Sequence, residues 1–266
     1  MLELSNAQIS GWVGQFLLPL FRIAAMLMVM PIIGTQLVPT RVRLYLALAI
    51  SVVLVPTLPP MPQVDALSLR SLLLIVEQVL IGAMLGFVLQ LFFHLFIVAG
   101  QIIAMQMGLG FASMVDPTNG VSVPVLGQFM LMLVTLLFLA INGHLVALEV
   151  LAESFVTLPY GQGLMVDHYW TLAGKLGWVI GAGLLLTLPA VTALLVINLA
   201  FGVMTRAAPQ LNLFGIGFSI TMLAGFILIA FALPYMLTPL QRFLSDGVEM
   251  VRLLGSVPPV NALPKP

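Results

Sequence analysis

The chain contains no cysteine, which excludes disulfides, thiolate metal sites and cysteine nucleophiles. It is also short of charge: only 7% of its 266 residues are Asp, Glu, Lys or Arg, against about 25% in a soluble domain. Nine basic and nine acidic side chains cancel. No basic cluster stands anywhere in the sequence, so nucleic acid is not an expected partner. Three isolated histidines without cysteine do not make a structural metal site. HExxH, GxSxG, Walker A and a glycine-rich dinucleotide loop are all missing, which argues against an enzyme, and no cofactor is expected. The N-terminus "MLELSNAQISGW" lacks a basic n-region and carries Glu3. The first apolar run is therefore expected to be retained rather than cleaved as a signal peptide.

What the sequence does have is apolar length. It is 61% hydrophobic, with a mean hydropathy of +1.19, and apolar runs of membrane-helix length recur along it. Six apolar segments stand out, at about 12–33, 42–58, 71–105, 124–158, 170–204 and 213–240. The pattern predicts an all-α integral membrane protein of about six long helices. It forms one membrane-embedded domain, residues 1–256, followed by a Pro-rich tail, 257–266. Segments three, four and five would each be about 50 Å long as straight helices, against a hydrocarbon core of roughly 30 Å. Breaks are expected at "NGH" (142–144), Pro189, Gly225 and Pro234. In lipid a broken backbone needs neighbours or water to satisfy it, so broken hairpins packed inside an assembly are expected. Lys and Arg fall on both sides of any simple six-span topology, and the positive-inside rule gives no orientation.

Polar residues inside these segments are the candidate interface positions. Gln128, Thr135, Asn142 and Glu149 are seven apart, with Glu153 four further on. On one continuous helix all five fall within an arc of about 60°. That stripe fits a helix–helix seam with polar glue or a water-facing lumen. In segment three, Gly82, Gly86, Gln90, His94, Gly100 and Gln101 share a face about 120° wide, on which Gly82 and Gly86 permit close helix approach. His94 reads better as a hydrogen-bonded packing residue than as a proton carrier. Gly174, Gly177 and Gly181 form a further small-residue packing stripe. Arg22 sits in mid-segment, where insertion costs roughly 2.5–3.5 kcal/mol; a carboxylate or backbone carbonyls, in this chain or a neighbour, would have to pair it. Sixteen methionines, among them Met105, Met107 and Met114, are soft filler for irregular gaps.

Between segments three and four runs "QMGLGFASMVDPTNG" (106–120), too glycine-rich for a helix and too apolar for an ordinary solvated loop. Residue chemistry alone fits a plain apolar interhelical turn and a pore seal equally well.

Three stretches carry a family resemblance. "RAAPQLNLFGIGFSI" (206–220), "GLGFASMVDPTNG" (108–120) and "RIAAMLMVMPIIG" (22–34) are similar to characteristic segments of the FliR family of type III export-gate membrane proteins. With the length and hydropathy, the resemblance spans nearly the whole chain. It implies an export-gate subunit, more flagellar than injectisome in motif detail. It also implies a place in the bacterial inner membrane, at the flagellar basal body. FliP-like and FliQ-like subunits, and a FlhB-like one, are the implied partners, with unfolded proteins as exported substrates and lipid as surroundings. The family's assembly sits raised from the membrane plane, which would account for the undecided charge bias. The resemblance further implies that Gly108, Gly110, Phe111, Ala112, Ser113, Met114, Val115, Asp116 and Pro117 form a pore plug. Glycine would supply backbone freedom, Phe111, Met114 and Val115 the seal, and Asp116 and Pro117 the turn back into a helix. The buried-polar or interface candidates are Arg22, Gln90, His94, Gln128, Asn142, Glu149, Glu153 and Arg206. The competing class is a small secondary transporter or channel with its own substrate site; it should show internal repeats, and none is evident.

Overall fold

Proline and glycine decide where the helices stop, but only at some of the places where they occur. The computed structural model describes residues 6–58, 68–109, 125–161, 166–207 and 213–232, with a few single positions after them. Among the described residues all regular structure is helical. In chain order the helices are α1 (Asn6–Val29), α2 (Thr40–Leu54, continued by a 3-10 turn, Val55–Thr57), α3 (Leu69–Gln106), α4 (Val125–Ala140), α5 (Gly143–Thr157), α6 (Val166–Ala207) and α7 (Leu213–Ala232). Three helices are long and apolar enough to cross a membrane: Thr40–Thr57, Leu69–Gln106 and Ala173–Ala207. Counting the broken pair α4 and α5 as one span gives up to four. The expected all-α type is met; beside these spans the described residues hold two shorter apolar helices, Gly14–Val29 and Gly217–Ala232.

The expected break at "NGH" is present. Asn142 adopts a left-handed conformation, φ 58°, which asparagine tolerates better than most residues, and Leu145 N–H restarts the ladder on its carbonyl at 2.9 Å. The expected break at Pro189 is not: α6 runs through it for 42 residues. Proline removes one N–H and costs about 3 kcal/mol in a helix interior, yet buried helices carry it where other groups re-satisfy the backbone. Thr187 and Thr192, on either side of it, return their hydroxyls to the Leu184 and Leu188 carbonyls, at 2.9 and 2.6 Å; the carbonyl that the proline itself leaves without an N–H is that of Leu185. Gly225 does not interrupt α7 either, because its missing side chain is taken up by packing against Met107. Pro234 falls beyond the described part of α7.

The chain forms two compact units. The first takes in residues up to Gln90, Asn142–Gly174 and the C-terminal stretch from Leu244. Its core is built where α3 crosses α1. Any side chain at Gly82 would strike the Arg22 carbonyl, and one at Gly86 would lie 2.7 Å from the Met26 carbonyl, so only glycine lets the backbones meet. Ile23, Met26, Leu27, Ile81, Leu85, Leu151 and Phe155 are buried in this unit. The second unit comprises Leu91–Ile141 and Lys175–Phe243. It is centred on an aromatic cluster in which Phe93 meets Phe138 edge to face at 5.3 Å and Phe92 meets Phe96 at 5.5 Å. Gly100 lies against Leu126, Gly127 and Met130, and Gly183 against Leu95 and Val98.

Candidate functional site

In the first unit, the polar side chain of Arg22 is completely buried and bonded on every nitrogen. Its Nε donates to Gln78 Oε1 at 2.7 Å. Nη1 donates to the Ser154 carbonyl at 2.7 Å and its hydroxyl at 3.2 Å, and Nη2 to the Leu158 carbonyl at 2.9 Å. The guanidinium lies over the Phe155 ring at 4.3 Å and near that of Tyr160 at 5.6 Å. Of the two kinds of partner expected for Arg22, carbonyls supply the bonds.

Those carbonyls belong to the end of α5, so Arg22 acts as that helix's C-terminal cap from another part of the chain. The Ser154 carbonyl also accepts the Leu158 N–H at 3.0 Å, while carbonyls at a helix end otherwise lack intrahelical partners and carry the negative end of its dipole. A cation there satisfies both, by up to about 2 kcal/mol when partly buried, and the Phe155 ring adds a cation–π contribution. Glu77, one residue before Gln78, accepts the Gly161 N–H at 3.1 Å. Gly161 itself has φ 83°, so α3 fixes the turn after α5 at two adjacent residues. Burial pushes the Tyr160 phenol above its ordinary range, opposed by the nearby Arg22 charge. Gln78 Nε2 and Tyr160 Oη are buried without a hydrogen-bond partner.

The other polar candidates are arranged differently. Gln128, Asn142 and Glu149 are exposed, while Thr135 and Glu153 are half-buried. Thr135 returns its hydroxyl to the Leu131 carbonyl at 2.7 Å. The five do not form the continuous stripe expected of one helix, because the left-handed Asn142 divides α4 from α5 and resets the rotation. Gln90 is half-buried and His94 exposed, whereas Gly82, Gly86 and Gly100 of the same expected face are packing sites. Arg206 is exposed in the last turn of α6, where a cation suits the helix dipole. Among the described residues, none lies within 4 Å of the place a side chain at Gly174, Gly177 or Gly181 would take. Lys175 reaches toward the Trp178 ring, 6.0 Å away.

Of the plug candidates, Gly108 is described; Gly110, Phe111, Ala112, Ser113, Met114, Val115, Asp116 and Pro117 lie outside the described residues. Gly108 closes α3. It has φ 81°, its N–H bonds the Met105 carbonyl at 3.1 Å, and the Leu109 N–H reaches back to Ala104 at 2.9 Å. This is the double bond of a Schellman motif with glycine in the left-handed position.

Sequence reasoning missed Gln78, Ser154 and Phe155. Gln78 was within reach, because it precedes Gly82 and Gly86 at the same four-residue spacing. Ser154 is an ordinary-looking serine whose role depends on a contact 132 positions away.

Helices of membrane-crossing length, a fully buried cation and broad uncovered apolar faces define a helical membrane protein. The chain belongs to the bacterial export proteins, family 1, whose pattern it matches over residues 13–247. It is 39% identical over 265 residues to the flagellar biosynthetic protein FliR of Escherichia coli (strain K12), covering 99% of both chains. It is 38% identical to FliR of Pectobacterium carotovorum, over 94% of this chain and 96% of that one. FliR of Bacillus subtilis (strain 168) is 26% identical over 90% of this chain. The family resemblance carried by the three sequence motifs is thereby established.

Proposed function

We propose that this chain is an export-gate subunit of a bacterial type III secretion system of the flagellar kind. In this reading it sits in the inner membrane at the basal body. It assembles with FliP-like and FliQ-like subunits, beside a FlhB-like one, around a pore for unfolded proteins. Residues 108–117 serve as the pore plug. The observation that carries the reading is the near-full-length similarity to flagellar biosynthetic proteins.

The surface of the isolated chain supports it. Along α6, Ile180, Leu184, Leu185, Leu195, Val196, Leu199 and Val203 are exposed; an apolar face of that extent is stable only against lipid or protein. Gln128, Asn142 and Glu149, exposed on neighbouring apolar helices, do not suit lipid. A subunit enclosed by others accommodates both. No catalytic step is assigned to the chain; its role is to complete a conduit.

The test is genetic and biochemical. Deleting the gene in its own organism should abolish flagellin secretion and swimming, and the wild-type copy should restore both. Secretion that continues without the chain would refute the reading. Uptake of a small solute that depends on this chain alone would favour the transporter class.

A further inference from the structure

Two of the motifs that carried the family resemblance meet in space within the second unit. Gly108 ends α3, and Phe218 lies in the first part of α7. A methyl group placed on Gly108 would lie 2.9 Å from both Cδ2 and Cε2 of the Phe218 ring, closer than a side chain can approach. The ring therefore occupies the space that every residue other than glycine would fill. One residue earlier, Met107 is fully buried and its side chain fits into the gap left by Gly225 of α7. Phe218 and Gly225 are seven apart, so they lie on the same face of α7, which also carries the buried Thr221. From α6, Asn198 Nδ2 donates to the Gln106 carbonyl at 3.3 Å. The last three residues of α3 and its cap are thus gripped in succession: Gln106 by Asn198, Met107 by Gly225, Gly108 by Phe218.

A Schellman cap alone would close α3 with any partner or none. The added ring and amide fix the direction in which the chain leaves the helix. We propose that Phe218 is a positioning residue: by seating Gly108 it sets where the segment after α3 begins, and it makes that starting point follow α7. This rests on the reading of 108–117 as a pore plug. It goes beyond that reading by naming α7, through Phe218 with Asn198 in support, as the element that holds the base of the plug. A shift of α7 during export would be transmitted to the plug through this contact.

The experiment uses the full chain purified from membranes together with its bound subunits. A cysteine in place of Leu109 is a unique labelling site, because the chain has none of its own. A spin label there reads the base of the segment directly, and ion leak per complex in liposomes reads its sealing. Phe218→Ala should leave recovery of the complex near wild type, mobilise the label at 109, and raise the leak by about tenfold, the shift expected when one of two states loses a specific contact. Phe218→Leu, which keeps apolar bulk at the site, should restore most of both signals. Reduced recovery with unchanged label mobility and unchanged leak per complex would mean a purely structural residue and would overturn the proposal. If Phe218→Ala yields no complex, Phe218→Val, which removes the ring and keeps a small apolar side chain, decides: a label at 109 more mobile than in wild type supports the role, and wild-type mobility refutes it. Deleting Phe111–Val115 is the control for the plug itself. An ion-tight deletion complex defeats the plug reading, while the label at 109 still judges the grip of Phe218.

Discussion

Arg22 and the polar residues of α4 and α5 began as the same puzzle, polar groups in apolar sequence, and the fold treats them in opposite ways. Arg22 is fully buried and every bond it makes stays inside the first unit. Gln128, Asn142 and Glu149 are turned outward from the chain. The difference teaches which requirements this subunit meets by itself and which it leaves to its surroundings. A buried cation must be satisfied within the fold, because an uncompensated one costs several kcal/mol. An exposed amide or carboxylate can wait for a neighbour or for water.

The most severe test of this contrast is to remove the inward half. Arg22→Leu should leave the Leu158 carbonyl and Gln78 Oε1 without their donor, and the Ser154 carbonyl with only the Leu158 N–H, at about 1–3 kcal/mol for each group stranded in the interior. Membrane insertion should persist, since a costly residue has left the segment, but recovery of the assembled complex should fall more than about tenfold, as those losses together exceed 1.4 kcal/mol. Normal recovery of complex from this variant would break the comparison.

Next in size is Gly82→Leu. The Arg22 carbonyl leaves no room for a side chain there, so α1 and α3 must separate, an overpacking penalty of about 1–3 kcal/mol or more. The expected result is a thermal midpoint several degrees lower for the purified complex; an unchanged midpoint would show that the crossing is looser than described.

The outward half is tested by cysteine placement at Thr135 and Asn142. Lipid-phase probes should label both weakly in the assembled complex, and strong labelling would show that these residues face lipid. The smallest effect is expected at Gly177. Among the described residues nothing stands within 4 Å of the place its side chain would take, so Gly177→Ala should leave the stability of the isolated chain within about 0.5–1 kcal/mol, slightly raised by helix propensity. If the stripe is a docking surface for another subunit, Gly177→Leu should lower co-purification while Gly177→Ala does not.

Helical class, apolar segmentation and the break at Asn142 were legible because composition, run length and a local turn signal act over a few residues. Pro189 and Gly225 were misread for the same reason. Whether a proline or glycine breaks a helix depends on what lies beside it, and the packing of Met107 against Gly225 is known only from the fold. The stripe from Gln128 to Glu153 was drawn on one continuous helix, and the left-handed Asn142 interrupts that helix. Arg22 was recognisable as a residue in need of partners, but Ser154 and Leu158, more than a hundred positions away, gave no local sign. Gly108 and Phe218 drew notice as members of two motifs, and only the fold brings them together.

The central claim, that this chain is completed by other subunits, is tested most directly by native mass spectrometry of the tagged chain purified gently from its own membranes. The account predicts one large hetero-oligomer containing FliP-like and FliQ-like proteins, with little of the chain free. A chain that emerges alone, or only with copies of itself, would contradict it.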